Sequence, residues 1–212
     1  MKIALFGATG MIGSRILTEA QRRGHEVIAI VRRPETVPQG PGIGAVVGDA
    51  TDADSVATSA AGTDIAINAY SPQAGPQGDL SKNAHALLAG LPRAGVSRVI
   101  VVGGAGSLEI APGRLLADSP DFPPQYKARA DAQKQQLDVF RAYTGGAVDW
   151  TFVSPPMMIA PGERTGAYRS GGDQLLFDAA GTSAISAEDF AIAIVDEAES
   201  PAHRNARFSV AR

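Results

Sequence analysis

The sequence of 212 residues contains no cysteine. Disulfides, thiolate nucleophiles and cysteine-bound metals are therefore excluded, and this composition favours a cytoplasmic protein. Histidine is also scarce: His25, His85 and His203 are scattered along the chain, and no pair has the spacing of metal ligands. The sequence therefore predicts no metal site.

Positive charge is not in excess either, because the formal net charge is −3 at pH 7. A protein that binds nucleic acid usually carries a basic surplus that neutralises phosphates, so we expect no nucleic acid partner. No apolar stretch approaches the roughly 18 residues of a membrane span, and the N-terminal run breaks at Gly7, too early for a signal-peptide core. We therefore expect no membrane contact, a small-molecule partner, and a monomer or homodimer.

Short apolar runs alternate with amphipathic stretches along most of the chain. The runs are continuous, as in strands buried on both faces of a parallel sheet, and they cover residues 2–6, 26–31, 44–48, 64–69, 98–103 and 149–154. Helical periodicity marks residues 11–23, 80–91 and 125–143. Strand alternating with helix predicts a doubly wound, mostly parallel α/β sheet of the Rossmann type in a single domain, residues 1–212.

The last third of the chain is less regular. Residues 154–166 are too rich in proline and glycine for regular structure, and residues 175–178 suggest a short strand. Ser186 is placed to cap a helix over residues 187–199, with Asp189 favouring its start, and residues 207–211 suggest a final strand. We expect residues 155–185 to form a small substrate lobe over the carboxyl edge of the sheet.

Three glycines follow the first apolar run in GATGMIGSRI, at the start of the first helix. In a dinucleotide site the first glycine allows a tight turn, the second lets the backbone approach the pyrophosphate, and the third lets the helix pack close to the strand. The helix N-terminus then favours the anion. A purely structural turn is the alternative. The expected cofactor contacts here are Gly7, Thr9, Gly10, Met11, Ile12 and Gly13.

Arg32 and Arg33 follow the second apolar run, where an acidic residue would bind the ribose 2′-hydroxyl of NAD. Two arginines at this place favour the 2′-phosphate of NADP, which they can hold by charge-assisted hydrogen bonds. A solvated pair of arginines where a strand surfaces is the alternative. We expect NADP(H) as the cofactor, with Thr9 adding a hydroxyl contact.

Further cofactor contacts are expected where the later runs end. Asp49, in GDATD, either contacts the adenine edge or forms an Asx turn that caps the next helix. The backbone of NAY at 68–70 is placed to line the ribose and nicotinamide. The complete set of these later contacts is Asp49, Ala50, Asn68, Ala69, Tyr70, Gly103, Gly104, Pro155 and Pro156.

Stretches along nearly the whole chain resemble the atypical short-chain dehydrogenase/reductase superfamily. More narrowly, they are similar to its NAD(P)H-binding, NmrA-like branch, which includes proteins labelled NADH-flavin reductases and the biliverdin reductase B type of flavin reductase. The stretches are GATGMIGS, VRRP, VVGGAGSLEIAPG, DFPPQYKARA, DWTFVSPPMM, PGERTGAYR, GGDQLLFD and ISAEDFAIAIVDE. The glycine turn is common to the superfamily, whereas GGAGSL and the segment from ERTG to GGDQLL are narrower. The resemblance implies a Rossmann fold and a bound nicotinamide cofactor.

The superfamily usually works with a serine and a Tyr-x-x-x-Lys pair, whose i, i+4 spacing lets the lysine lower the tyrosine pKa. Ser107 fits the serine position, and Tyr126 is the nearest tyrosine downstream. Four residues after Tyr126 stands Ala130, while Lys127 at i+1 points elsewhere, so the standard pair is absent. Ser107 and Tyr126 remain the catalytic candidates; a turn hydroxyl and a packing or substrate contact are the respective alternatives.

The missing lysine separates the candidate reactions. Ketone reduction needs a proton at oxygen, whereas a flavin or quinone accepts hydride readily if two rings are held in contact. Met157 and Met158, beside Pro155 and Pro156, offer an apolar wall unless they are core filler. Further aromatic candidates for this wall are Tyr70, Phe122 and Tyr168.

The sequence therefore favours an NADPH-dependent reductase of a flavin or quinone. The flavin would be a substrate, because no dedicated flavin-holding motif is present. A non-catalytic NADP-binding sensor of NmrA type is the second hypothesis, since it too needs no Tyr-Lys pair. An epimerase or carbonyl reductase is the third.

Overall fold

The computed structural model describes residues 1–72 and 79–212. Its helices within those ranges are α1 (Met11–Arg22), α2 (Ala53–Ser59), α3 (Asp79–Arg93), α4 (Pro124–Arg141) and α5 (Ala187–Glu199). Its strands are β1 (Lys2–Phe6), β2 (Glu26–Val31), β3 (Ile43–Val47), β4 (Ile65–Asn68), β5 (Arg98–Val102), β6 (Glu109–Ala111), β7 (Arg114–Leu115), β8 (Asp149–Ser154), β9 (Met158–Ala160), β10 (Arg169–Gly171), β11 (Ala184–Ser186) and β12 (Ala206–Ala211). Single turns of 3₁₀ helix lie at Pro34–Thr36 and Leu116–Asp118.

Eight strands form one sheet in the order β10-β12-β8-β5-β4-β1-β2-β3. Every pairing is parallel except that of β10, which runs antiparallel to β12 at one edge. The sequence-based prediction of a doubly wound, mostly parallel sheet is confirmed. Because β1 and β4 are neighbours at the point where the strand order reverses, a crevice is expected above their carboxyl ends.

The continuous apolar runs are explained by cover on both faces of this sheet. Alternate strand residues pack with α1 and α5 on one face, and the others pack with α2, α3 and α4 on the opposite face. Ile3 and Leu5 belong to the first core, whereas Ala4 and Phe6 belong to the second. Strands covered on both sides need no polar alternation.

Two helix ends show the residues that stop and start a helix. Gly24 follows α1 with a φ of +79°, a conformation that suits glycine, and stops the helix. The hydroxyl of Ser186 accepts a hydrogen bond from the backbone N–H of Asp189 at 3.0 Å, so Ser186 caps α5 as predicted. No described helix is both long and apolar enough to cross a membrane.

The segment after β8 departs from the prediction at two places. Residues 175–178 form no strand; Leu175 is instead buried with Leu108 and Leu116, so packing explains this apolar run. Residues 154–166 do contain a short strand, β9, which pairs in parallel with β11. Three-residue strands between prolines lack the length that makes a strand recognisable from sequence.

Candidate cofactor and acceptor site

Two glycines of the turn after β1 are required by the packing of the chain itself. Gly7 has a φ of +77°, and a Cβ on it would lie 2.5 Å from the carbonyl oxygen of Ala69. A Cβ on Gly13 would lie 2.1 Å from the carbonyl oxygen of Gly7. Both distances are far inside van der Waals contact, so these glycines bring β1, β4 and α1 together.

Gly10 has different surroundings. Its φ of −76° and ψ of 169° are open to any residue, and a Cβ there would meet the Gly7 carbonyl oxygen at 3.4 Å and no other atom within 4 Å. Gly10 starts α1, and no side chain caps that helix. The first-turn N–H groups of Met11 and Ile12 therefore face a space suited to an anion. The cradle that a Cβ would fill fits a pyrophosphate.

The other residues of this turn surround that space. Thr9 and Met11 are exposed, and Met11 leaves 39% of its surface open. Ile12 is half-buried against the core shared by α1 and α5. Thr9 is thus accessible to a ligand, while Ile12 anchors the first turn of the helix.

Arg32 and Arg33 lie just past β2, and both side chains are exposed. Neither guanidinium forms an ion pair within the described residues. The backbone carbonyl of Arg33 accepts from the Thr36 hydroxyl at 2.7 Å, which fixes the chain after the strand. The two guanidiniums are thus available to an anionic ligand, and a contact with the 2′-phosphate of NADP stays a prediction.

Asp49 forms the Asx turn that the sequence suggested. Its Oδ1 accepts from the backbone N–H and the hydroxyl of Thr51, both at 2.8 Å. These bonds, led by the one from the Thr51 N–H, hold the pKa of Asp49 below its usual value. The cap of α2 is Asp52 and not Asp49, because Asp52 Oδ1 accepts from the Ser55 N–H at 2.8 Å. A contact from Asp49 to adenine stays a prediction.

A buried chain of amides connects the ends of β3 and β4, and sequence reasoning did not find it. Asn83 on α3 donates from Nδ2 to the carbonyl oxygen of Ala50 at 2.6 Å. Its Oδ1 accepts from Asn68 Nδ2 at 2.8 Å and from Gln136 Nε2 at 3.0 Å. Asn68 and Asn83 are fully buried. Asn68 and Ala50 therefore help to hold the segments after β3 and β4 in place, in addition to any contact with the cofactor.

The remaining predicted cofactor contacts lie at the carboxyl ends of neighbouring strands. Ala69 and Tyr70 follow β4 and are half-buried, and their backbone closes over Gly7. Gly103 and Gly104 follow β5, where a Cβ would strike the Phe152 ring or the Gln133 side chain, respectively. Pro155 and Pro156 follow β8 and are buried. These residues share one edge of the sheet, and their contacts with the cofactor stay predictions.

Ser107 is held by a buried arginine that the sequence did not reveal. Arg207 on β12 donates from Nη1 to the Ser107 carbonyl at 2.8 Å and to its hydroxyl oxygen at 2.9 Å. Arg207 also donates from Nε to Asp173 Oδ1 at 2.6 Å. Burial lowers the pKa of this guanidinium, although Asp173 opposes that shift. The Ser107 hydroxyl accepts one bond here, so its proton is left for another acceptor.

Tyr126 occupies the first turn of α4 with 57% of its surface exposed. Lys127 turns away from it, as predicted, and donates to the Ala117 carbonyl at 3.0 Å. Ala130 is buried, and its methyl lies 2.5 Å from where a Cβ on Gly106 would stand. The helix face below Tyr126 is therefore closed by packing against the loop after β5, and no hydrogen bond joins the side chains of Tyr126 and Ser107.

The apolar wall is only partly the one predicted. Met157 and Met158 are 54% and 62% exposed, so they are not core filler. The prediction that Tyr168 belongs to this wall is wrong. Its hydroxyl donates to Asp196 Oδ2 at 2.7 Å on the α1–α5 side of the sheet. Burial raises its pKa well above the usual value. Phe122 packs against the small cluster of Leu108, Leu116 and Leu175.

Residues 162–168, which we call the clamp segment, are tied to α1 and α5 by acidic side chains. Arg164 donates to both carboxylate oxygens of Glu19 at 2.8 Å. The backbone N–H groups of Gly162 and Thr165 donate to Glu188 at 2.7 Å and to Asp189 at 2.8 Å. The stretch ERTG of the family resemblance is thus accounted for by structural contacts.

A groove of about 790 Å³ lies between α3 and α4. His85 lies on the wall of this groove and is exposed. No group of three or more potential metal ligands occurs among the residues described.

Known proteins share this fold. A family model described as NAD(P)H-binding matches residues 7–201. A crystal structure of a proposed exported protein from Burkholderia pseudomallei is 47% identical, covers 100% of both chains and has a TM-score of 0.91. A proposed epimerase from Bacteroides thetaiotaomicron is 38% identical over 99% of this chain and 96% of its own, with a TM-score of 0.91.

A third similar structure is a proposed NADH-flavin reductase from Streptococcus pneumoniae. It is 35% identical, covers 100% of this chain and 99% of its own, and has a TM-score of 0.85. The names of these three proteins differ in activity and in location. A cytoplasmic location for the present chain therefore stays a prediction.

Proposed function

The chain belongs to the NAD(P)H-binding family, and on that premise we propose that it transfers hydride from NADPH to a free flavin or a quinone. The bound cofactor supplies the hydride. The protein supplies a cradle for the pyrophosphate at Gly10, two arginines for the 2′-phosphate, and an edge where a flat acceptor can lie against the nicotinamide.

The observation that carries the choice of acceptor is the packing of Ala130. Its buried methyl lies against Gly106, so no ammonium group stands one turn below Tyr126. Without that lysine, the usual route for delivering a proton to a carbonyl oxygen is missing. A flavin or quinone depends less on such a group, because proximity and orientation supply much of the rate.

Two further features support the proposal. Met157 and Met158, directly after the carboxyl end of β8, expose more than half of their surfaces and offer an adaptable apolar contact to a ring system. The Streptococcus pneumoniae relative carries the name of an NADH-flavin reductase. Its name supports an electron acceptor of this class for the present chain.

The test is oxidation of NADPH by the purified protein in the presence of FMN, FAD or a series of quinones. We expect turnover with at least one of these acceptors and little with simple ketones or sugar nucleotides. Turnover of a ketone at a higher kcat/KM than any flavin or quinone would contradict the proposal.

The hydrogen bond to the Ser107 hydroxyl favours a second candidate function, an NADP-binding regulator that catalyses no reaction. The Ser107 hydroxyl oxygen is bound by the buried Arg207, as expected for a structural residue. Tight NADPH binding without turnover of any acceptor would support this second function over the first.

A further inference from the structure

Arg32 leaves β2 beside the loop that follows β3. The two strands pair in parallel up to Val31 and Val47, and the N–H of Gly48 donates to the Val31 carbonyl at 3.0 Å. Ile28 and Ile30 pack on the face covered by α2, α3 and α4. Arg32 directly follows Val31 and Asp49 directly follows Gly48, so the Gly48–Val31 bond makes the two residues neighbours at the carboxyl edge of the sheet.

Lys82, in the first turn of α3, is brought to the same loop by its neighbour in sequence. Asn83 is fully buried and donates to the Ala50 carbonyl at 2.6 Å. Asn68 and Gln136 fix the orientation of the Asn83 amide from two other elements. Lys82 is exposed next to this buried anchor, and its ammonium has no ion-pair partner in the described part of the chain.

The carboxylate of Asp49 lies near the positive charges of both Arg32 and Lys82. The bonds from Thr51 contribute first to lowering its pKa, and the positive charges of Lys82 and Arg32 lower it further. Both Thr51 bonds go to Oδ1, which turns the carboxylate into its own loop. Arg32, Arg33 and Lys82 thus bring three positive charges to this part of a chain whose net charge is −3.

We propose that Lys82 is the third cation of the 2′-phosphate site and, with Arg32, selects NADPH over NADH. This inference rests on the proposed use of NADPH. A phosphate dianion beside exposed cations gains from each of them, whereas the 2′-hydroxyl of NADH offers no charge. The hydrogen bond from Asn83 to Ala50 holds the first turn of α3 in place, so the position of Lys82 is set before the cofactor binds.

The test uses 2′,5′-ADP and 5′-AMP as probes of the adenosine half, so that no turnover is required. Calorimetric titration is carried out on the wild type, Lys82→Met, Lys82→Arg and the control Lys134→Met. Lys134 is paired with Asp138 on α4, so the control removes one exposed positive charge elsewhere. We expect Lys82→Met to weaken 2′,5′-ADP by roughly 5- to 30-fold, with 5′-AMP changed less than about twofold. Lys82→Arg and Lys134→Met should bind both probes nearly as the wild type does.

Three other outcomes would overturn the inference. If Lys82→Met weakens both probes equally, Lys82 does not recognise the 2′-phosphate. If it weakens neither while Arg32→Ala/Arg33→Ala does weaken 2′,5′-ADP, NADPH selection belongs to the arginines alone. If the wild type binds 2′,5′-ADP no tighter than 5′-AMP, the proposed use of NADPH fails as well. Equal melting temperatures of the variants exclude unfolding as the cause of a lost signal.

Discussion

Gly10 precedes α1 and Gly13 lies in its first turn, but the space beside their Cα atoms differs. A Cβ on Gly13 would lie 2.1 Å from a backbone oxygen, whereas a Cβ on Gly10 would have one neighbour at 3.4 Å. Packing within the protein therefore explains Gly13. It does not explain Gly10, whose open side is what a bound pyrophosphate requires.

We expect Gly10→Ala to fold normally but to bind NADPH at least about tenfold more weakly, because the new methyl stands where the pyrophosphate approaches. Gly13→Ala should instead lower the free energy of unfolding by about 1–3 kcal/mol, since α1 must move away from the turn. Urea unfolding and calorimetric titration measure the two effects. A Gly10→Ala protein that retains wild-type affinity would place the cofactor elsewhere.

At the scale of single residues, the sequence predicted features formed by residues close together along the chain and missed contacts between distant ones. The glycine turn and the arginine pair are local patterns, and the structure leaves both with room for a ligand. The bond from Arg207 to Ser107 joins residues 100 positions apart, and that from Arg164 to Glu19 joins residues 145 apart. A single sequence carries no mark of such pairings, because nothing local distinguishes these arginines from surface ones.

At the scale of secondary-structure elements, the pattern of burial explains which predicted strands were confirmed and which were wrong. The strands of the parallel sheet were recognisable because cover on both faces requires unbroken apolar runs. The same rule wrongly predicted a strand at residues 175–178. This apolar run packs into a small separate cluster and does not pair as a strand. The strand pair β9–β11 and the edge strand β10 are each three residues long, too short to leave a period.

The clamp segment shows how elements far apart in sequence are fixed together. Glu19 on α1 is 4% exposed, and its bonds to Arg164 and Arg23 outweigh the cost of burial. Led by the Arg164 bond, these contacts lower the pKa of Glu19 to about 2 from an ordinary 4.5. Since the folded state holds the carboxylate ionised, its contribution is present above about pH 4.5 and is lost as the pH falls toward 2.

We therefore expect Glu19→Gln to be less stable than the wild type near neutral pH, by at most about 3 kcal/mol. The difference should narrow as the pH falls through the range between the ordinary and the lowered pKa. Urea unfolding over a pH series measures it, with Glu35→Gln as the control, because Glu35 is exposed on the turn after β2. A constant difference at all pH values would mean that the Glu19 charge is not what stabilises the clamp segment.

At the scale of the whole molecule, the fold leaves the reaction open. Relatives with TM-scores of 0.91 and 0.85 carry the names of an epimerase and a flavin reductase. One scaffold supports many chemistries, so the residues at the carboxyl edge have to decide. In this chain the features that bear on the choice are the closed packing at Ala130 and the exposed methionines after β8.

The reaction is therefore best tested at Tyr126 and Ser107 together. If holding two rings in contact supplies most of the rate, Tyr126→Phe should lower kcat by less than about tenfold, well short of the ~10²–10⁴ expected for a lost proton donor. Ser107→Ala should cost more, because it removes the hydroxyl that Arg207 orients and leaves that buried guanidinium short of an acceptor. Steady-state oxidation of NADPH with the best flavin or quinone gives both values, and NADPH affinity serves as the control for folding. Loss of nearly all turnover in Tyr126→Phe, with binding intact, would restore the tyrosine as a proton donor and favour a carbonyl compound as the natural substrate.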